Sequence, residues 1–198
     1  MGTHAVSSSE DSPALAEDRR DPYLRPSTSF LSKLARFAWH VVYVTLFRPS
    51  PRVMHGWRAL LLRAFGARIG PRTRIYPKAR IWAPWNLECE DVVAIGDDAI
   101  VYNPAPVRLG SHSIVSEQAY LCGATHDYNQ PAFPMVWAPI TIEQYAWICA
   151  RACVQMGVTV REGAILGLGA VATSDLEPWS IYAGVPARRI KARPRFAP

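Results

Sequence analysis

The stretch that decides the fold is residues 121–171, which read LCGATHDYNQPAFPMVWAPITIEQYAWICARACVQMGVTVREGAILGLGAV. From Ile142 onward an aliphatic residue recurs at every sixth position: Ile148, Val154, Val160 and Leu166. A small residue stands four positions after most of them. This period is neither the two-residue alternation of a half-buried strand nor the 3.6-residue period of a helix. It is typical of a parallel β-helix, in which each hexad forms one side of a coil.

The same period extends upstream. Aliphatic residues open further hexads at Ile69, Ile75, Ile81, Leu87, Ile95, Val101, Leu109, Val115 and Leu121. Gaps of eight residues after Leu87 and after Val101 predict short bulges, and the gap before Ile142 predicts one extruded loop at about 127–139. About fifteen hexads, with three to a turn, predict an all-β fold of about five coils.

The chain of 198 residues divides into four parts. Residues 1–25, rich in Ser, Asp, Glu and Pro, are predicted to be a disordered tail. Residues 26–66 are predicted to form a basic helical cap, residues 67–176 the β-helix, and residues 177–198 a loop followed by a short basic tail or helix. The polar start lacks the apolar core of a signal peptide, and the 4 cysteines form no CxxC pair. Both features favour a cytoplasmic protein with free thiols.

Positive charge is concentrated in one block. The formal net charge is +6, yet residues 22–80 contain twelve Lys and Arg residues and no acidic residue. Such a block predicts an anionic neighbour, which can be a membrane surface, a phosphate-bearing substrate or nucleic acid. Nucleic acid is the least favoured of the three, because the sequence contains no recognised nucleic-acid-binding module.

Residues 30–47 read FLSKLARFAWHVVYVTLF and predict an amphipathic helix. Basic residues share one side and apolar residues another: Lys33, Arg36 and His40 against Leu34, Phe37, Val41 and Val44. One interpretation is a cap that covers the open end of the β-helix. The other is a peripheral membrane contact through residues 30–65 at the cytoplasmic face. A second helix at about 52–65 is predicted to bury Trp57, Leu60, Leu61 and Ala64.

Several motifs accompany the repeat. A histidine, His126, precedes the extruded loop, residues 157–160 read GVTV, and residues 183–188 read AGVPAR. Together with the repeat, these motifs resemble the hexapeptide-repeat acetyltransferases. THDYNQPAF at 125–133 and PWNL at 84–87 are similar to the branch of colanic-acid-type exopolysaccharide acetyltransferases. The resemblance implies a left-handed parallel β-helix, a homotrimer, and acetyl-CoA bound in the cleft between neighbouring subunits.

The resemblance also implies a catalytic histidine that deprotonates the acceptor hydroxyl. His126 is the sixth residue of its hexad and is expected to project outward, where an imidazole suits a general base. Asp127 has two interpretations, because it can either orient that ring or cap the loop. Asn103 is a candidate for the oxyanion site.

Other positions are candidates for binding the two substrates. Trp147 is interpreted as a wall of the acetyl and pantetheine channel or as a packing residue at the subunit interface. The remaining candidates for acetyl-CoA are Ala164, Ala170, Thr173, Arg188 and Lys191. The two alanines would bond the pantetheine amides through their backbone, and the basic pair would contact phosphates unless it is a solvated tail. The aromatic residues of the loop are expected to contact the acceptor sugar: Tyr128, Phe133 and Trp137.

The sequence departs from the family pattern at five positions, one of which is Met156 in place of the proline that is usual before Gly157. Glu143, Cys149 and Arg161 occupy the second hexad position, where glycine is usual, and this change is expected to affect surface chemistry only. Ser174 stands where a lysine is frequent, which removes a positive charge expected near the CoA phosphates.

The predicted function is that of an O-acetyltransferase that modifies a sugar hydroxyl in exopolysaccharide biosynthesis. The acceptor is expected to be a free, nucleotide-linked or lipid-linked sugar. One alternative is a zinc enzyme of the carbonic-anhydrase type, which needs three converging histidines. Only His112 and His126 lie within the repeats, so no metal is expected. The other alternative is a non-catalytic β-helix that serves as a scaffold or trimerisation module.

Overall fold

The computed structural model describes residues 30–195. The predicted tail at 1–25, residues 26–29 of the predicted cap and the last three residues lie outside this range. The described chain starts with helix α1 (Phe30–Val42), which continues into a π-helical turn at Tyr43–Phe47, and helix α2 (His55–Ala64) follows. Nineteen short strands complete it: β1 Arg68–Ile69, β2 Arg74–Ile75, β3 Arg80–Ile81, β4 Leu87–Cys89, β5 Ala94–Ile95, β6 Ile100–Tyr102, β7 Val107–Leu109, β8 Ile114–Val115, β9 Tyr120–Cys122, β10 Ala124–His126, β11 Met135–Trp137, β12 Ile140–Ile142, β13 Trp147–Ile148, β14 Cys153–Gln155, β15 Thr159–Val160, β16 Ile165–Leu166, β17 Val171–Ala172, β18 Ser180–Ala183 and β19 Arg188–Ala192.

Three parallel sheets form the sides of the coil. Face A contains β1, β4, β7, β12 and β15; face B contains β2, β5, β8, β13, β16 and β18; face C contains β3, β6, β9, β14 and β17. The chain visits the faces in this order on every turn, so the cross-section is triangular and the predicted parallel β-helix is confirmed. Face B has six stacked parallel strands, one more than the five coils expected, because β18 pairs with β16 after the hexad period has ended.

The interior follows the six-residue period. The openers of the later hexads are fully buried, as are the alanines four positions further on: Ile148, Val154, Val160, Leu166, Ala146, Ala152, Ala164 and Ala170. The aliphatic side chains fill the coil and the alanines occupy its corners. This arrangement removes apolar surface from water, which is the dominant favourable contribution to folding.

One predicted hexad opener is wrong. Ile69 pairs with Cys89, and Cys89 pairs with Leu109, so Cys89 rather than Leu87 occupies the inward position in register with its neighbours. The reason is a 3-10 turn at Pro84–Asn86, which inserts two residues before β4. Because alternate residues of a strand point the same way, Leu87 is also buried, and the sequence pattern alone does not distinguish the two positions.

Neighbouring coils approach closely at the second hexad position. A Cβ atom built on Gly96 would lie 2.7 Å from the backbone nitrogen of Glu117, and one built on Gly110 would lie 2.6 Å from that of Gln144. Glycine is therefore required at these two positions for steric reasons, because backbone of the next coil lies against them.

The N-terminal helices cover the first coil. Trp39 of α1 is buried and donates from Nε1 to the carbonyl oxygen of Ile81 at 2.7 Å. The apolar side predicted for α1 points away from this contact, and Leu34 and Phe37 are 54% and 66% exposed. The buried side predicted for α2 is also wrong in part. Only one of the four expected residues is buried, and the buried set is Arg58, Ala59, Leu61 and Leu62.

Arg58 fixes α2 to the β-helix. Its side chain is fully buried, and Nε donates to the carbonyl oxygen of Ile75 in β2 at 2.6 Å. Nη1 donates to Ser50 Oγ and to the Pro51 carbonyl, each at 2.8 Å. Nη2 donates to the Arg52 carbonyl at 2.6 Å. The guanidinium thereby satisfies backbone acceptors of both the first coil and the turn between the helices.

We expect Arg58→Met to lower the free energy of unfolding by on the order of 3 kcal/mol or more, because it leaves several buried acceptors without a donor. Arg68→Met is the matched control, since Arg68 is exposed and a surface substitution changes stability by about 0.5 kcal/mol or less. Urea unfolding of both variants measures the difference. Equal stabilities would contradict the role given to Arg58.

We also expect opposite effects of alanine at two glycines. Gly96→Ala should destabilise the protein by about 1–3 kcal/mol, because the new Cβ overlaps backbone of the next coil. Gly56→Ala should stabilise it by about 0.5–1 kcal/mol, because Gly56 lies in α2 with open space around it. Thermal unfolding of the two variants tests the sign of each change.

Candidate active site

The predicted extruded loop is a β-hairpin. It leaves the coil after β9 of face C and returns at β12 of face A, and its strands β10 and β11 pair antiparallel. In this ladder His126 lies opposite Met135. The hairpin starts at Gly123, where a Cβ would lie 2.6 Å from the carbonyl oxygen of Tyr102. The last residues of the coil therefore aim the hairpin outward from the corner between faces C and A.

The ring of His126 is exposed, as expected, and one of its nitrogens is held by the hairpin. Nδ1 lies 2.5 Å from the carbonyl oxygen of Phe133. A carbonyl oxygen only accepts hydrogen bonds, so Nδ1 carries the hydrogen. In the neutral ring, Nε2 then has a free lone pair that can accept a proton.

The sequence reasoning did not identify the Phe133 carbonyl as a partner of His126. Phe133 has a φ of 43° and its N–H donates to the carbonyl oxygen of Gln130 at 3.0 Å. This turn directs the Phe133 carbonyl back across the hairpin. A backbone carbonyl has no residue type, so no sequence motif marks it.

Asp127 binds the hairpin loop. Its Oδ1 accepts from the Asn129 N–H at 3.0 Å, and its Oδ2 accepts from Gln130 Nε2 at 2.8 Å. These hydrogen bonds, the backbone one first, lower the pKa of the Asp127 carboxyl group below its ordinary value. Of the two interpretations, the structure favours the loop cap, because the carboxylate is occupied by the loop itself.

Asn103 is fully buried, and its amide is used inside the coil. Its Oδ1 accepts from the N–H of Ala83 at 2.9 Å, and its Nδ2 donates to the Ala83 carbonyl at 2.8 Å. Asn103 therefore links two successive coils at the corner between faces C and A. This is the corner from which the hairpin leaves in the next coil, but the amide does not point into open space there.

Trp147 lies on β13 of face B. Its Nε1 donates to Ser116 Oγ at 2.8 Å, while the indole is 40% exposed. Ser116 was not identified from the sequence. The predicted basic tail or helix is instead strand β19, which pairs antiparallel with β18 and extends face B. Arg188 and Lys191 are exposed on that strand and so belong to the same sheet as Trp147.

The two corner alanines have little bonding capacity left. The carbonyl of Ala164 accepts from Trp147 N at 2.9 Å, and that of Ala170 accepts from Cys153 N at 2.8 Å. Both alanine N–H groups donate within their own turns. Their N–H groups are therefore unavailable as donors, and only the second lone pair of each carbonyl remains for a ligand amide.

The candidates fall into two groups on one chain. His126 and the exposed aromatic residues Tyr128, Phe133 and Trp137 belong to the hairpin at the corner between faces C and A. The exposed Thr173 follows β17 at the same corner. Trp147, Arg188 and Lys191 belong to face B, the side opposite that corner. A site that uses both groups therefore requires a second copy of the chain.

The cysteines are free thiols, and the described residues offer no cluster suited to a metal ion. All four cysteines are free, and burial, with a smaller contribution from Cys122, raises the pKa of Cys153 to about 11. Within residues 30–195, no three His, Cys, Asp or Glu side chains are grouped closely enough to hold a metal ion. His112 is engaged elsewhere, with its ring stacked on Tyr145 at 4.9 Å.

The chain is similar in sequence to known acetyltransferases. It is 36% identical over 155 residues to the putative colanic acid biosynthesis acetyltransferase WcaF of Escherichia coli K12, and the match covers 78% of this chain and 85% of the relative. It is 26% identical over 121 residues to the galactoside O-acetyltransferase of the same organism, over 60% of this chain and 54% of the relative. No family model matches the sequence.

Solved structures share the fold. A hexapeptide-repeat acetyltransferase of Vibrio cholerae, crystallised with acetyl coenzyme A, superposes with a TM-score of 0.78 over 86% of this chain and 93% of the other, at 20% identity. A galactoside acetyltransferase in complex with coenzyme A gives a TM-score of 0.77 over 89% and 90%, also at 20% identity.

We expect the hairpin to respond to pH through Asp127. The pKa of this group is lowered on folding, so its stabilising contribution is complete above its ordinary value of about 3.9 and is lost as the pH falls through the lowered one. The protection factor of the Asn129 amide, which is its intrinsic hydrogen-exchange rate divided by the rate observed by NMR at each pH, measures this loss between neutral and acid pH. Asp127→Asn keeps the oxygen that faces Asn129 and should remove the pH dependence. A dependence that persists in this variant would contradict the assignment.

Proposed function

The chain belongs to the hexapeptide-repeat acetyltransferases, and on that premise we propose that it transfers an acetyl group from acetyl-CoA to a hydroxyl group of a sugar. The biosynthetic setting proposed is that of an exopolysaccharide, in line with the relative from colanic acid biosynthesis. One observation carries the proposal. The exposed His126 binds the Phe133 carbonyl through Nδ1, which leaves Nε2 free to accept a proton in a hairpin rich in aromatic residues.

His126 acts as the general base in the proposed reaction. Nε2 accepts the proton of the sugar hydroxyl while the hydroxyl oxygen forms a bond to the thioester carbonyl carbon. The carbon–sulfur bond then breaks, and the imidazolium returns the proton to the departing sulfur. The Phe133 carbonyl stabilises the imidazolium through Nδ1–H. A positioned general base of this kind contributes about 10²- to 10⁴-fold to the rate.

Acetyl-CoA would supply the acetyl group as its thioester, and face B has the chemistry to bind it. Trp147 presents an apolar surface for the pantetheine arm, and Arg188 and Lys191 present positive charge for phosphates. Their place on one sheet, opposite the hairpin, supports a homotrimer in which face B of one subunit meets the hairpin of the next. Ser174 stands where a lysine is frequent and supplies no positive charge. Arg188 and Lys191 would therefore provide more of the phosphate binding.

The hairpin would bind the acceptor. Tyr128, Phe133 and Trp137 are all exposed, and aromatic rings supply large contact areas for the apolar faces of sugars. They belong to the same hairpin as His126, so a stacked sugar would have its hydroxyls near Nε2. We propose a free, nucleotide-linked or lipid-linked sugar as the acceptor and a reaction in the cytoplasm.

Thioester cleavage by the purified protein tests the proposal. Acetyl-CoA is supplied with a panel of free sugars, nucleotide sugars and lipid-linked sugars, and release of the CoA thiol is followed. His126→Ala and His126→Gln should each lower the acceptor-dependent rate by two or more orders of magnitude. His112→Ala is the matched control, because His112 is also exposed but lies at another corner, and it should retain activity.

The scaffold alternative predicts a different outcome. In that case no acceptor on the panel stimulates cleavage, and calorimetry detects no binding of acetyl-CoA to the wild-type protein. Wild-type rates in both His126 variants would reject the role of this histidine while leaving the acetyltransferase activity in place.

A further inference from the structure

Helix α1 is apolar on the side that faces away from the protein. Trp39 points into the cap, and at 100° per residue Phe30, Phe37 and Val41 lie within about 20° of the opposite direction. The outer face of α1, as we call this surface, continues into the π-helical turn and comprises five exposed residues: Phe30 78%, Leu34 54%, Phe37 66%, Val41 44% and Val44 48%. It extends over about 20 Å of helix.

This outer face is unusual for a helix in contact with water. The outer side of a surface helix is ordinarily polar, because only the inner stripe packs on the core. Contiguous exposed apolar patches indicate a surface for binding another molecule. The helix and the π-helical turn after it pack on the first coil through Trp39 and Phe47, both buried, so the outer face takes no part in the cap.

A basic cavity adjoins the outer face. It has a volume of about 470 Å³ and lies between α1 and the start of face C. Its basic lining consists of Lys33, Arg36, His40 and Arg80. The rest of the lining is apolar or aromatic: Phe37, Trp39, Tyr43, Ile81 and Trp82. The Arg36 guanidinium stacks over the Trp82 ring, 4.5 Å from its centroid. None of the lining residues is acidic, so the cavity suits the phosphate of an anionic molecule.

The charge around α1 identifies the occupant of the outer face. No acidic residue occurs between Asp21 and Glu88 in the sequence. A second copy that packed its own outer face here would bring two basic flanks together. An anionic lipid surface offers acyl chains for the apolar residues and phosphates for the basic ones. Within residues 30–195, no helix has both the length and the apolar character to cross a bilayer.

We propose that α1 lies in the plane of an anionic bilayer, with its outer face among the acyl chains and the basic cavity against lipid phosphates. Phe30, Leu34, Phe37 and Val41 supply the buried apolar area, and Lys33 and Arg80 supply the attraction to the surface. In this arrangement α1 is an amphipathic helix at the membrane interface, and the β-helix lies on the cytosolic side of the lipid headgroups.

The docking also brings the candidate base near the membrane. Trp82 meets Tyr102 edge to face at 5.4 Å, and Tyr102 donates from its hydroxyl to Met135 Sδ at 3.8 Å. Met135 pairs with His126 across the hairpin. Trp82 follows β3, while Tyr102 and Cys122 are the last residues of β6 and β9, the next two strands of face C. About 10 Å therefore separates the cavity from the start of the hairpin. This consequence rests on the proposed function, and it favours an acceptor held at the bilayer surface.

Vesicle co-sedimentation of the full chain tests the proposal. We expect binding to vesicles of phosphatidylcholine with phosphatidylglycerol, weaker binding to phosphatidylcholine alone, and loss of binding at high salt. Leu34→Ser/Phe37→Ser should lower the partition coefficient at least tenfold, because two large apolar side chains no longer enter the lipid. Lys33→Gln/Arg80→Gln should lower it about fivefold per charge, and only for the anionic vesicles.

The matched control is Leu168→Ser. Leu168 is 75% exposed but follows β16 at the other end of the coil, so the change should leave vesicle binding unaltered. Thioester cleavage with a water-soluble acceptor, measured without lipid, reports separately on folding and on the active site of each variant. Failure of docking and failure of the proposed function are thereby distinguished.

Two results would overturn the proposal. The first is sedimentation of Leu34→Ser/Phe37→Ser with anionic vesicles to the same extent as the wild type. The second is a wild type that does not sediment with anionic vesicles. If light scattering also shows that the Leu34→Ser/Phe37→Ser variant has a different oligomeric state from the wild type, another copy of the chain covers the outer face.

Discussion

The backbone hydrogen bonds between successive coils constrain everything else in this protein. Each strand bonds only to the strands directly above and below it, as when Trp147 N donates to the Ala164 carbonyl. An inward residue must therefore lie over an inward residue, and a slip of one position would turn the core side chains outward. The same contact explains why Gly96 and Gly110 have no room for a Cβ. Extra residues are tolerated only at corners, where they leave the ladder intact.

The corner between faces C and A shows how this tolerance supports function. The 3-10 turn at Pro84–Asn86 occupies it in one coil and the hairpin occupies it in a later one. Strands pair across the hairpin, so the loop is ordered enough to aim the Phe133 carbonyl at His126. The rigid β-helix thus holds the proposed base, His126, on an insertion, while Trp147 and β19 lie on the opposite side. The separation of these two groups is the physical reason for proposing an oligomeric site.

The N-terminal helices cap the first coil with their inner side and expose the outer face of α1. Arg58 and Trp39 donate hydrogen bonds to the carbonyls of Ile75 and Ile81, which lie at the open end of the first coil. With the cap held by these inward groups, the outer face of α1 is free to carry apolar residues for another purpose. The two interpretations of this helix, a cap and a membrane contact, are therefore compatible, since they use opposite sides.

The amino-acid sequence by itself determined the parallel β-helix, the position of the insertion and the family, because a six-residue period states directly which side chains point inward. It also indicated His126, as the histidine that ends the last hexad before the insertion. Only the tertiary structure decided that Cys89 replaces Leu87 in the register, that Arg58 is buried, and that Leu34 and Phe37 face outward. The choice between alternate apolar residues, or between two sides of a helix, depends on what packs against them. The hydrogen bond from His126 to the Phe133 carbonyl was likewise decided only by the tertiary structure. A backbone group acquires its role from chain geometry and leaves no mark in the sequence.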